Sequence, residues 1–182
     1  MSHTGDDDIA ANRLRLLQQD FLEPGRPSNG VRVSRSTTPS APLRLDMVDH
    51  IQASVSEIEE HTRAEAPDAG ARPAAADRVY EWAYQRTRHL DPQRRLVLET
   101  VVYRQSLEHA IAMGDHSVVR RHSCPACGTW GLFWRPGLRK AVCVNHYCTD
   151  DQGRPRSWPL AHLAHRHVVA QAARKNLNVN AT

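Results

Sequence analysis

The apolar positions of the chain fall into helical stripes separated by polar, proline-rich stretches. Residues 7–22 predict a short helix, with Ile9, Leu14, Leu17 and Phe21 near helical spacing. Asp6 to Asp8 stand where the N-terminal dipole favours acids. Residues 23–42 carry four prolines, two glycines and four serines, a composition that buries too little surface to order itself and reads as a flexible linker. Periodicity resumes over 43–64, where Val48, Ile51, Val55 and Ile58 step along one helix face and Glu57, Glu59 and Glu60 take the solvent side. Two heptads are few for a coiled coil, so this stripe predicts packing within the chain.

A second break, EAPDAGARPAA, covers 65–75. The next helix spans about 75–90, with Val79, Trp82, Ala83 and Leu90 as its buried face. Asp91-Pro92 is a cap followed by proline at the first helical position. From there a long helix runs to about Ala112, and Gly114 is placed to end it. Leu96, Tyr103, Leu107 and Ile111 line one face of this helix, and Leu98, Val101, Val102 and Ala112 another. A helix apolar over so much of its girth belongs in the middle of a bundle. This segment also resembles the helix-turn-helix at the end of bacterial sigma factors, through Leu90, Pro92, Arg95, Val97-Leu98, Ser106-Leu107, Ile111-Ala112, Gly114 and Val119. It departs from that family in a short turn and a recognition helix that would run straight into Cys124. A plain helix hairpin is the other reading.

Beyond Gly114 the pattern changes. Trp130 to Trp134, a Pro136-Gly137 turn and Leu138 to Val144 predict a β-hairpin, in the residue order of a type II turn with glycine at positive φ. After a turn at Asp150 to Gly153, Arg154 to Trp158 reads as a third strand. Pro159 then starts a final helix, with Leu160, Leu163, His167 and Val168 spaced to dock on the hairpin or the bundle.

Cysteine pairs bracket the hairpin. Cys124-Pro125-Ala126-Cys127 and Cys143-Val144-Asn145-His146-Tyr147-Cys148 lie fifteen residues apart, and two such pairs complete a tetrahedron of thiolates around one metal ion. Gly128 gives the first turn its room. Residues 122–158 resemble the zinc-ribbon family in both knuckles and the hairpin between them, which implies a structural Zn2+ held by Cys124, Cys127, Cys143 and Cys148. The second knuckle departs from the commonest ribbon in having four residues, not two, between its cysteines. CVNHYC is similar to the second knuckle of phage late-gene activators of the Ogr/Delta family, which have a longer insert between the pairs. His146, three residues after Cys143, is an alternative to Cys148 as fourth ligand. A thioredoxin-like redox pair would need a preceding strand and a helix starting at the motif, whereas Arg120-Arg121-His122 and Gly128 surround this one. Disulfides would need an oxidising compartment. Four protein ligands leave no open position for substrate, so the metal is read as structural, and no catalytic residue is assigned. His162 and His165 share a helix face but lack an acidic or thiol partner nearby, and read as part of a basic surface.

Composition bounds the rest. The chain has 182 residues, ten of them aromatic, and a mean hydropathy of −0.59, so its core is thin. Nothing approaches the ~20 apolar residues of a membrane helix. The acidic start, MSHTGDDDIAANR, is unlike a signal peptide, so the expected location is cytoplasmic. The net charge of +4 hides an asymmetry. Residues 1–115 hold 14 Arg against 18 Asp and Glu, a balance of −4, whereas residues 116–182 hold ten Lys and Arg against two Asp, a balance of +8. Arg120, Arg121, Arg135, Arg139 and Lys140 flank the knuckles, interleaved with Trp130, Phe133 and Trp134. Such residues suit phosphate contact and base stacking, though some of the aromatics must also fill the core of the hairpin.

The chain is thus expected to be α+β and mostly α. A helix at 1–22, a linker at 23–42 and a helical domain at 43–115 precede a zinc ribbon with a C-terminal helix at 116–182. The expected role is non-enzymatic: DNA or RNA binding or transcription regulation by the basic ribbon, with the acidic helices free to take a protein partner. The alternative is a protein-interaction or assembly adaptor stapled by its zinc, followed by an accessory subunit of an enzyme.

Overall fold

Residues 45–179 are described by the structure, a computed structural model. The helix predicted at 7–22 and the linker at 23–42 lie outside the described residues. Within them the fold is α+β and mostly α, with four α-helices, two short 3-10 turns and one three-stranded antiparallel sheet. The chain divides into two compact units between Arg86 and Thr87.

In the first unit, α1 (Leu45–Glu65) follows the predicted stripe. Met47, Ile51, Val55 and Ile58 are buried, so the stripe begins at Met47 rather than Val48. It also runs one turn further than apolar residues alone would indicate. Thr62 is fully buried because its hydroxyl donates to the Ile58 carbonyl at 2.7 Å, which removes the cost of hiding it. The break after α1 is pinned. Arg72 bridges back to Glu59 at 2.8 Å, and the Trp82 indole donates to the Ala69 carbonyl at 3.3 Å. Trp82 belongs to α2 (Ala76–Thr87), which buries Val79, Tyr80, Trp82 and Ala83. This helix stops three residues short of the predicted Leu90, because Asp91 precedes a proline and takes extended backbone (ψ 157°).

In the second unit, α3 (Pro92–Ala112) starts as predicted. The Asp91 carboxylate accepts the Gln93 and Arg94 N–H groups at 2.9 and 3.1 Å. It ends at Gly114 (φ 86°), where the Gly114 N–H bonds Ile111 and the Asp115 N–H bonds Ala110, the paired bonds of a Schellman cap. Sequence periodicity places this helix at the centre of an N-terminal bundle; the structure puts it in the second unit, packed along α4 (Leu160–Val179). The physical reason is a shared core. Leu107 and Ala110 of α3 and Leu160 and Leu163 of α4 are buried in one cluster with Cys124, Cys143 and Cys148, and Tyr103 and Ile111 pack on it. The helix-turn-helix likeness is not realised. After Gly114 only a six-residue 3-10 turn, His116–Arg121, intervenes before the first knuckle. Asp115 caps this turn by accepting the Ser117 N–H at 3.0 Å, and the turn buries Val118 and Val119 against the sheet.

The hairpin forms as read, with one correction. Strand β1 (Leu132–Arg135) pairs with β2 (Lys140–Cys143) in the register Leu132↔Cys143 to Arg135↔Lys140, and β3 (Ser157–Trp158) pairs with β2 as a two-residue strand. The turn is not the expected type II with Gly137 at positive φ. Pro136–Leu138 form a 3-10 turn and Arg139 takes the left-handed conformation at φ 50°. Four residues, rather than two, separate the paired strand ends, and a 3-10 turn needs a left-handed residue after it to return the chain to the ladder.

Candidate metal centre

The four cysteines come from two loops that the sheet holds face to face. In the first knuckle, the Cys124 N–H bonds the Thr129 carbonyl and the Gly128 N–H bonds the Cys124 carbonyl, both at 2.9 Å, with Gly128 at φ 73°. A side chain at Gly128 would force a left-handed residue into that turn. In the second knuckle, the Cys148 N–H bonds the Asn145 carbonyl at 2.9 Å while the Asn145 side chain accepts the Tyr147 N–H at 3.0 Å. The Asx turn lets this loop span four residues instead of two. Backbone bonds between Arg156 and both Cys143 and Cys148, each 3.0 Å, tie the knuckle to the segment leading into β3.

The thiol sulfurs of Cys124, Cys127, Cys143 and Cys148 all lie within 4.8 Å of one another. Cys124 and Cys148 are 3.7 Å apart, as are Cys127 and Cys143. Thiolates about 2.3 Å from a tetrahedral ion sit about 3.8 Å from each other, so the separation fits a shared metal ion. It is far longer than the ~2.05 Å of a disulfide, and all four cysteines are free. The four thiols are thus positioned to bind a metal. His146 stands apart from the cluster: it is exposed and packs on the Tyr147 ring at 3.8 Å.

The two knuckles differ electrostatically. The Thr129 hydroxyl and N–H lower the Cys127 thiol to about 6. Burial opposes ionisation of Cys124, but the N–H groups of Cys127 and Ala126 outweigh it and lower that thiol too. Burial and the neighbouring thiols push Cys148 up to about 12, and burial likewise raises Cys143. Ionisation is thus favoured in the first knuckle and opposed in the second, where a bound cation would supply the compensating charge.

The five basic residues are all exposed and come from two elements. Arg135, Arg139 and Lys140 cluster at the hairpin tip, where Arg135 lies over the Phe133 ring at 5.4 Å. Arg120 and Arg121 end the 3-10 turn that packs on β1. The aromatics divide between core and surface: Trp134 and Trp158 pack on the buried cluster, whereas Trp130 is exposed at 68%. The three C-terminal histidines also part. His162 stacks on Trp158 at 5.0 Å, His165 is exposed, and His167 stacks on Tyr103 at 4.1 Å and meets Gln171 at 2.8 Å.

Two supports of the site escape sequence reading. One is Thr129, marked in the sequence only by its place two residues after Cys127. The other is Arg166, which reaches across 41 positions to donate to the Pro125 carbonyl at 2.9 Å and so ties α4 to the first knuckle. Compared with family models, curated proteins and solved structures, the chain matches none. No helix among the described residues is long and apolar enough to cross a membrane.

Proposed function

We propose that the metal is Zn2+, that residues 122–158 are a zinc ribbon, and that this cytoplasmic, non-enzymatic protein contacts nucleic acid through the ribbon, in a regulatory role such as transcription control. Thiolate-rich tetrahedral sites select zinc among common divalent ions, and a closed four-thiolate shell suits a structural ion. The observation that carries the nucleic-acid reading is the hairpin tip. Arg135, Arg139 and Lys140 project there, and no Asp or Glu occurs anywhere from residue 116 to 149. Arg139 adds a second indication. A non-glycine residue in the left-handed region costs about 1 kcal/mol or more, yet the chain keeps a guanidinium where glycine would be free of strain.

Titration of DNA and RNA over a salt series tests this. Affinity should fall steeply with salt, and the double substitution Arg139→Ala, Lys140→Ala should lower the slope by about one for each lost phosphate contact. Absence of binding at low salt would sink the reading and leave the assembly-adaptor alternative. Native mass spectrometry of the purified chain checks the ion: one zinc per chain is expected.

A further inference from the structure

The knuckle end of the hairpin is as apolar as its tip is cationic. Trp130 is 68% exposed, Tyr147 83% and Val144 52%. The other three tryptophans are not displayed in this way, since Trp82 is buried and Trp134 and Trp158 lie against the core of the second unit. Tyr147 sits in the Asx turn of Asn145, directly before a cysteine of the cluster, and its ring is braced by His146 at 3.8 Å. Trp130 bridges Ser123 beside the first knuckle, and Gly131 comes against Val144 just past the last rung, Leu132↔Cys143. Gly131 (φ 113°) leaves Val144 the space it occupies, because an added Cβ would meet Val144 Cγ2 at 3.0 Å. Trp130, Val144, His146 and Tyr147 therefore share one end of the hairpin.

Water-facing rings on both knuckles mark a contact surface rather than scattered exposure. Charge narrows the partner. Residues 116–149 carry five cations and no carboxylate. Four thiolates around a dication remove two of those charges and leave about +3. A surface with π faces at one end and cations at the other matches a polyanion whose rings are free to stack. In a duplex those faces are hidden in the base stack, whereas unpaired bases offer them. The four residues of β1 alone separate the two ends by about 10 Å, so a ligand of several nucleotides is needed to engage both.

We propose that Trp130 and Tyr147 are stacking platforms for unpaired bases, so that the ligand class of the ribbon is single-stranded nucleic acid. This deepens the nucleic-acid reading and rests on it. The test uses the full, metal-loaded chain with an oligothymidylate of about 15 nucleotides and a duplex of equal length, at low salt. The oligothymidylate should bind tighter than the duplex and quench tryptophan fluorescence. Trp130→Ala and Tyr147→Ala should each weaken it about tenfold, with metal content and circular dichroism unchanged. Trp130→Phe should restore part of the loss, since a ring remains to stack. If the duplex binds as tightly as the single strand, or both alanine variants bind as the parent does, the stacking inference falls while hairpin-tip binding stands. If neither ligand binds, both readings fall together. Self-association that the same two substitutions abolish, without any effect on oligonucleotide affinity, would place a second copy on the patch and overturn the proposal.

Discussion

The two units of this chain are stabilised by different means. The first is conventional: α1 and α2 bury Met47, Ile51, Val55, Ile58, Val79 and Trp82, and the loop between them is tied by Trp82 and by the Arg72–Glu59 bridge. The second has a sheet whose third strand is two residues long, and three of its four cysteines lie inside its apolar cluster. Its candidate metal centre and its core are one object. The unit with the short sheet is the one whose thiols are positioned to add metal coordination to apolar burial. Residues 122–158 alone would gain only ~3–5 kcal/mol from their own core, whereas a structural zinc contributes ~10–16 kcal/mol.

Chelation should break the comparison most sharply. Removing the metal should abolish hydrogen-exchange protection across 132–143 while leaving 51–62 protected, an effect of about 10 kcal/mol or more on the second unit alone. Protection of β1 and β2 that survives a strong chelator would contradict the division. The converse lesion is Ile58→Ala, which empties a fully buried position of α1. It should cost the first unit about 3–5 kcal/mol in denaturant unfolding and leave metal affinity, read by competition with a chromogenic chelator, unchanged.

A subtler contrast lies in acid. Burial holds His122 down at about 4 instead of 6.5, with His167 and Arg121 adding to the effect. The unfolded chain takes up this proton near pH 6.5 and the folded chain only near 4. Stability from the neutral ring is therefore complete above 6.5 and is lost as pH falls towards 4, by up to about 3 kcal/mol. His122→Asn should flatten the slope of stability against pH between those limits. An unchanged slope would show that another group governs the acid limb.

Much of this was legible in the chain. Cap and stop signals at Asp91, Pro92 and Gly114 placed the ends of α3, because capping is chemistry within a few residues. The cysteine spacing located the candidate metal site for the same reason, since each knuckle closes on itself through bonds such as Gly128 to Cys124 and Cys148 to Asn145. Partnership between distant segments was not legible. The periodicity of α3 showed that it is covered on most sides, but not that α4 and the 3-10 turn after Gly114 would do much of the covering. Nor could the Pro136-Gly137 pair reveal that the left-handed position would fall to Arg139, because the pairing of Arg135 with Lys140 sets the length of the turn.

The sequence by itself determined most of the elements, the four cysteines of the candidate metal site and the concentration of positive charge in residues 116–182, since each depends on residue type and short-range spacing. Only the tertiary structure decided which rings the core would absorb and which would face water, and that cations would gather at the hairpin tip while Trp130 and Tyr147 stand at the knuckles. Burial is a property of what packs against a residue, and those neighbours, like Arg166 on Pro125, come from far along the chain.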